Sequence, residues 1–279
     1  MIPTSFEYKK AGSVADAIGM LGDDGQILGG GQSLIPALKL RLNSVGSLID
    51  ISKIEAIQAI SNNEKSITIG GGATHASIAN NGDLDAAAPM MGQAARAIGD
   101  IQVRNRGTIG GSMAHADPAA DWPAVLLASD AIVMIQGKDG KRTVDIDQFF
   151  TGFYETALSE GEVITGVSIP KSGFNKNSAY AKFKQPASRF AIVGCAVAVD
   201  IDGGVVKEAR VAITGVSDSA YRATSVEKAL VGQALTAESI AAVGDVTEGR
   251  DVMSDHYASE KYRTHLASVY VKRALKKLL

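Results

Sequence analysis

Leu28-Gly29-Gly30-Gly31-Gln32-Ser33-Leu34-Ile35-Pro36 is the stretch that decides how this chain is read. A short apolar strand, Gln26 to Leu28, runs into three adjacent glycines, and Leu34 to Leu42 reads as a helix opening behind Ser33. Glycines let backbone amides approach an anion without interference from a Cβ. A helix N-terminus adds free N–H groups and a partial positive charge, and Ser33 adds a hydroxyl, so a phosphate group fits the turn. The competing reading is a tight turn with Ser33 as helix N-cap. The stretch is not a P-loop, lacking Gly-Lys-Ser/Thr, and not a G-x-G-x-x-G dinucleotide fingerprint.

A second stretch repeats the arrangement. Arg106-Gly107-Thr108-Ile109-Gly110-Gly111-Ser112 leads through Met113 to His115, Asp117 and Asp121, followed by Trp122-Pro123. Two phosphate-grade turns suggest one pyrophosphate held between them. A third cluster, Gly70-Gly71-Gly72, again follows a β-branched run, and the 30 glycines of the chain exceed the average usage of about 7 %. In an extended segment His115 and Asp117 project to one side, and Asp121 would be the third member of a metal triad. The other histidines, His75, His256 and His265, bring no evident ligand partners. For Asp117 and Asp121 the alternative is a loop carboxylate and a helix N-cap.

Composition narrows the function classes. With 279 residues, 46 % hydrophobic and 21 % charged, the chain is ordinary globular material, which excludes disorder and fibrous folds. A net charge of -2, from 28 basic and 30 acidic residues, is too balanced for a broad nucleic-acid footprint. No apolar run approaches the roughly 20 residues of a membrane span, and Met1 to Lys10 lacks a signal-peptide pattern, so a soluble cytoplasmic protein is expected. One cysteine, Cys195, allows neither an internal disulfide nor an iron–sulfur cluster held by this chain alone.

The pattern predicts a first helix from Ser13 to Leu21, strands at Leu48 to Ile51 and Ser66 to Ile69, and one helix from Ala86 to Ile98. It goes on to a helix from Asp121 to Ala128 and strands at Ile132 to Gln136 and Val163 to Ile169. Polar, turn-rich Lys171 to Ser178 reads as a domain boundary. Beyond it come strands at Ala179 to Lys184, Ile192 to Ile201 and Val205 to Gly215, the last two joined by the hairpin signal Asp202-Gly203-Gly204. Helices around Val226 to Val231 and Ala237 to Val243 precede a long one from Ala258 to Leu278, with Tyr262, Leu266, Val269, Tyr270 and Ala274 on one face.

At this level of detail the chain resembles the medium, flavin-binding subunit of the molybdenum hydroxylases, the family of aerobic carbon monoxide dehydrogenase and of the xanthine dehydrogenase flavin domain. Gly29 to Pro36 match its Ala/Gly-Gly-Gly-Gln/His-Ser-Leu-Ile-Pro motif and Thr108 to Ser112 its Thr-Ile-Gly-Gly-Ser/Asn motif. The likeness runs from Phe6-Glu7-Tyr8 through Phe183-Lys184-Gln185 to Asp255–Arg263. It implies an α+β protein with an FAD fold of the vanillyl-alcohol-oxidase type. Two α/β subdomains, about 1–55 and 56–172, would be followed by a C-terminal α+β domain with an antiparallel sheet, 176–279. Carried over by position, Gly29, Gly30, Gly31, Gln32, Ser33 and Leu34 cradle the pyrophosphate, and Thr108, Gly111 and Ser112 contact the pyrophosphate and ribityl region. Asp121 bonds cofactor hydroxyls, Ile164 offers backbone contact, Lys184 sits near the flavin ring, and Thr74 and His75 occupy a further turn of the site. Phe190 or Tyr180 could stack near the ring or belong to the core.

The resemblance further implies an electron relay. A partner large subunit with a molybdenum cofactor oxidises substrate, an iron–sulfur small subunit carries the electrons, and the three form a heterotrimer or its dimer. Two other readings remain: a self-contained FAD-dependent oxidase of the same fold, and a non-enzymatic assembly subunit whose glycine turns are structural.

Overall fold

A computed structural model describes residues 1–171 and 173–279. The N-terminal part is β1 (Glu7–Lys10), α1 (Val14–Met20), β2 (Gly25–Leu28), α2 (Leu34–Lys39) and β3 (Ser47–Asp50). Its sheet is parallel, in the order β1-β3-β2. Ser13 caps α1 as its sequence predicts, its hydroxyl accepting from the Asp16 amide at 3.0 Å. Helix α2 stops well before Leu42, because Arg41 takes a left-handed conformation (φ 58°) and the Leu42 amide donates back to the Ala37 carbonyl.

Next come β4 (Ile60–Asn62), β5 (Ser66–Gly70), α3 (His75–Ala79), α4 (Gly82–Ala87), α5 (Pro89–Ala97), α6 (Ile101–Arg104), α7 (Ile109–His115) and α8 (Asp121–Ser129). The single helix expected over Ala86 to Ile98 is two helices. Ala88, forced extended by the proline that follows it (φ -152°, ψ 77°), breaks the run. β6 (Ile132–Gly137), β7 (Gly140–Asp145), the small hairpin β8 (Phe150–Gly152) and β9 (Glu155–Thr156), and β10 (Val163–Pro170) follow. A five-stranded antiparallel sheet, β4-β5-β10-β6-β7, results.

The boundary read at Lys171 to Ser178 includes Ser172, which lies outside the described residues; a short α9 (Gly173–Lys176) stands there. The C-terminal part is β11 (Ser178–Lys184), β12 (Ala191–Asp202), β13 (Val205–Thr214), β14 (Tyr221–Arg222), α10 (Thr224–Leu230), α11 (Ala237–Ala241) and α12 (Glu260–Lys276). Its four strands form an antiparallel sheet in chain order. On α12 the buried face is Leu266, Ala267, Tyr270, Val271 and Ala274, while Tyr262 lies outside it.

What positions the site is α8. Every one of its residues is buried, Trp122 completely, because it packs on α5 and on β12 and β13 of the C-terminal sheet. Losing a side chain as large as Trp122 from such a position costs about 3–5 kcal/mol. One core cluster therefore runs from β5, β6 and β10 through α5 and α8 to Tyr180, Ala196 and Ala212 of the C-terminal sheet. Smaller clusters hold the N-terminal sheet to its helices.

Candidate functional site

A cavity of about 530 Å³ opens between the N-terminal sheet, the α6–α7 segment and the loop after β11. Gly29 to Leu34, His75, Thr108, Gly111, Ser112, Asp121 and Ile164 line it; Thr74 and Lys184 do not.

The two glycine turns meet back to back. A Cβ on Gly30 would overlap the Arg106 carbonyl oxygen and lie 2.6 Å from Gly107 Cα, so only glycine lets the turns touch. They differ, however, in what they leave free. The backbone amides from Gly29 to Leu34 have no acceptor within the chain among the described residues. Gly31 turns the chain with φ +72°. Ser33 does stand at the N-cap position of α2, but its backbone is helical and its side chain makes no capping bond, which leaves its hydroxyl available. In α7, by contrast, the amides are already satisfied. Ile109 donates to the Ala73 carbonyl (3.1 Å), Gly110 to Gly71 (2.9 Å), Gly111 to the Thr108 hydroxyl (3.1 Å) and Ser112 to the Thr108 carbonyl (3.0 Å). Gly110 is glycine for packing, since a Cβ there would sit 2.6 Å from the Gly71 carbonyl oxygen. The second turn thus offers the cavity side chains, Thr108 and Ser112, and the first offers its backbone.

Six consecutive amides without a protein acceptor, on half-buried to exposed residues of a cavity wall, are open to an anionic ligand as hydrogen-bond donors. The charged lining side chains are Asp117, Asp121, Glu162 and Arg189. Arg189 is held by the Gly99 carbonyl at 2.9 Å. An anionic group here is therefore met mainly by dipoles.

Asp121 is the first residue of α8, with Ala120 as the cap, so it is not the N-cap that its sequence suggests. Its carboxylate is 5 % exposed and doubly engaged: Tyr180 Oη donates to Oδ1 at 2.5 Å and Lys182 Nζ to Oδ2 at 2.8 Å. Lys182 also reaches the Ala97 carbonyl. Burial raises the Asp121 carboxyl above its usual range, and Lys182 and Tyr180 oppose that shift. Tyr180 is thus a core residue that fixes Asp121, whereas Phe190, 41 % exposed, stands on the cavity wall. Lys184, assigned by position to the flavin neighbourhood, is exposed at the end of β11, where β12 carries an extra residue, Ile192, between the partners of Phe183 and Lys184.

Thr74 caps α3, accepting from the Ser77 amide at 3.1 Å, and bridges to Thr108. His75, 5 % exposed, accepts a hydrogen bond at Nδ1 from Trp122 Nε1 (3.1 Å). Burial and the Arg104 charge depress its pKa to about 4. Ile164 precedes a bulge of β10, where the Gly71 amide donates to Thr165 O at 2.9 Å. His115 packs against Tyr154 with tilted rings, centroids 5.2 Å apart, and Tyr154 Oη donates to Asp117 at 3.1 Å. Burial and Asp117 raise the Tyr154 hydroxyl to about 12. Among the described residues no group of three His, Cys, Asp or Glu is placed to hold a metal, and no helix is long and apolar enough to cross a membrane. Sequence reasoning missed Lys182, Tyr154 and Arg189, which no local motif marks.

Comparison with known proteins assigns the family. Residues 4–172 match the FAD binding domain in molybdopterin dehydrogenase, and 178–278 the CO dehydrogenase flavoprotein C-terminal domain. The chain belongs to this flavoprotein family. The carbon monoxide dehydrogenase medium chain of Hydrogenophaga pseudoflava is 37 % identical, over 99 % of this chain and 97 % of its own length. The glyceraldehyde dehydrogenase medium chain of Sulfolobus acidocaldarius is 34 % identical over the full length of both. A solved structure, carbon monoxide dehydrogenase from Hydrogenophaga pseudoflava lacking the Mo-pyranopterin moiety of the molybdenum cofactor, superposes with a TM-score of 0.93. It is 39 % identical and covers 99 % of this chain and 98 % of that one. The chain is thus an FAD-binding medium subunit of an oxidoreductase, α+β in fold.

Proposed function

We propose that this chain is the electron-relay subunit of a molybdenum hydroxylase complex, taking electrons from iron–sulfur clusters on a small subunit and passing them to an external acceptor. Substrate oxidation belongs to a molybdenum-bearing large subunit, and the three chains form a heterotrimer or its dimer. The observation that carries the reading is the run of free amides from Gly29 to Leu34 in the cavity wall, on a chain without a metal cluster among its described residues. Support for the partners comes from relatives that are medium chains of dehydrogenases named for different substrates, which points to substrate choice elsewhere.

FAD supplies the redox chemistry when bound; the protein supplies its place and surroundings. The Gly29–Leu34 amides and the Ser33 hydroxyl would hold its diphosphate. Thr108 and Ser112 present hydroxyls from the facing turn. Asp121, clamped by Tyr180 and Lys182, ties the cavity wall to the C-terminal sheet, and Phe190 and Tyr154 add aromatic surface to the cavity wall. The division at about 172–176 separates two roles, since the first part binds the cofactor and the second covers it. The two matched regions, 4–172 and 178–278, meet there.

Coexpression with molybdenum and iron–sulfur subunits from the same operon tests this reading. The complex should copurify, and its flavin should bleach when substrate is added under anaerobic conditions. Turnover of an organic substrate with a dye acceptor by the chain alone would favour a self-contained oxidase instead.

A further inference from the structure

None of the residues from Asp255 to Arg263 lines the cavity, and α12 covers the face of the C-terminal sheet opposite to α8. Arg263 is nevertheless buried there. Its Nη1 donates to the carbonyls of Ile192 (2.7 Å) and Gly215 (2.6 Å), and its Nη2 to Asp255 Oδ2 (2.6 Å). Asp255 is fixed in turn by the Tyr257 and Ala258 amides, each 2.9 Å from Oδ1. A buried cation paired with a carboxylate that is 42 % exposed adds little stability that apolar side chains of like volume would not. What a guanidinium does and an apolar group cannot is grip two carbonyls from different strand ends at one point.

The same two strand ends hold the cavity wall. The Gly215 amide donates to the Pro118 carbonyl at 2.8 Å and the Ala191 amide to the Ala119 carbonyl at 3.0 Å. The buried Thr214 hydroxyl lies 2.8 Å from the Pro118 carbonyl and 2.7 Å from that of Ala120, sharing its one proton between them. Gly215 takes φ +81°, and a Cβ on it would lie 2.6 Å from the Ala191 carbonyl oxygen, so the two ends approach as closely as glycine allows. All three carbonyls between Asp117 and Asp121, which both line the cavity, thus hang from the ends of β12 and β13.

We infer that Arg263 is a positioning residue for the cofactor site. By holding Ile192 and Gly215 it sets where the 118–120 carbonyls stand, and with them the Asp117 and Asp121 side chains in the cavity wall. This rests on the reading of the cavity as the FAD site and adds to it a part that lies outside the cavity. It gives the C-terminal domain a hold on the wall separate from the Tyr180 and Lys182 side chains on Asp121.

The test compares full-length wild type, Arg263→Met, Arg263→Lys, Thr214→Val and Val271→Ala by FAD titration of apoprotein, visible circular dichroism of the bound flavin and amide hydrogen exchange. Val271 is buried on α12 in the core behind the sheet, so Val271→Ala lowers melting without removing any of these hydrogen bonds. Well below the melting point of every variant, Arg263→Met should weaken FAD binding about tenfold, within the range of coupling through residues that touch no ligand, and change the flavin dichroism. Arg263→Lys, which keeps a donor, should recover part of both, and Val271→Ala should match the wild type in both. Without FAD, the Ala191 and Gly215 amides should exchange faster in Arg263→Met but not in Val271→Ala. Thr214→Val, which keeps the side-chain volume, should reproduce the dichroism change, and its loss of affinity combined with that of Arg263→Met should be less than additive in free energy. Wild-type affinity in Arg263→Met, or equal effects of Arg263→Met and Val271→Ala, would overturn the inference while leaving wild-type binding intact. Wild-type apoprotein that takes up no FAD would instead remove the cofactor site itself, and the role of Arg263 with it.

Discussion

Lys182→Met isolates the buried charge that joins the cavity wall to the C-terminal sheet. In the wild type the ammonium, 4 % exposed, lies 2.8 Å from Asp121 Oδ2, and the carboxylate is equally buried. Removing the cation leaves Asp121 with the Tyr180 hydroxyl alone, and breaking such a pair costs about 3–5 kcal/mol. At about 2 °C per kcal/mol for a chain of this size, the apoprotein should melt roughly 6–10 °C lower near pH 8. The deficit must depend on pH. Burial already raises the Asp121 carboxyl, and without Lys182 it rises further. A raised folded-state pKa favours the protonated form, so the variant is least impaired below the ordinary carboxylate range. It then loses stability relative to the wild type as pH climbs through the interval between the two folded-state values. Calorimetry of FAD-free protein at about pH 5, 6.5 and 8 measures this. A deficit equal at all three pH values, or none near pH 8, would refute the idea that the two groups depend on each other in a dry site.

Gly30→Ala should lose both FAD retention and stability, because its Cβ overlaps the Arg106 carbonyl. Gly111→Ala meets only the Thr108 hydroxyl, at 2.9 Å, and should cost about 1 kcal/mol in melting while still weakening FAD. Comparison of flavin content with melting temperature separates the two. FAD affinity should change less than about threefold between low and high salt, since amide dipoles rather than free cations line the phosphate region; isothermal titration in increasing chloride checks it. Acid precipitation should leave the yellow chromophore in the supernatant, because Cys195 is buried in the C-terminal core and His75 is tied to Trp122; colour in the pellet would show a covalent link. Asp121→Asn should lower apoprotein stability as well as FAD affinity, since it strips Lys182 of its counter-ion.

Much of this protein is legible one segment at a time. Glycine runs behind β-branched strands mark the turns, Ser13 caps its helix, and Asp202-Gly203-Gly204 closes the β12–β13 hairpin. These features follow from the backbone preferences of a few adjacent residues, which act whatever the rest of the chain does. The break at Ala88 belongs to the same class, since Pro89 announces it. The chemistry of the site does not. Both glycine turns look alike as sequence, and only the approach of Gly71 and Ala73 to α7 decides that one has spent its amides while the other keeps them. Asp121 meets Tyr180 and Lys182 across 59 and 61 residues, and His75 meets Trp122 across 47. Lys182 lies within β11 with its ammonium buried, whereas Lys184 ends the strand exposed. Such pairings depend on how separately formed elements pack, and the free energy that fixes them, burial of polar groups which must then find one another, exists only once the tertiary structure has excluded water.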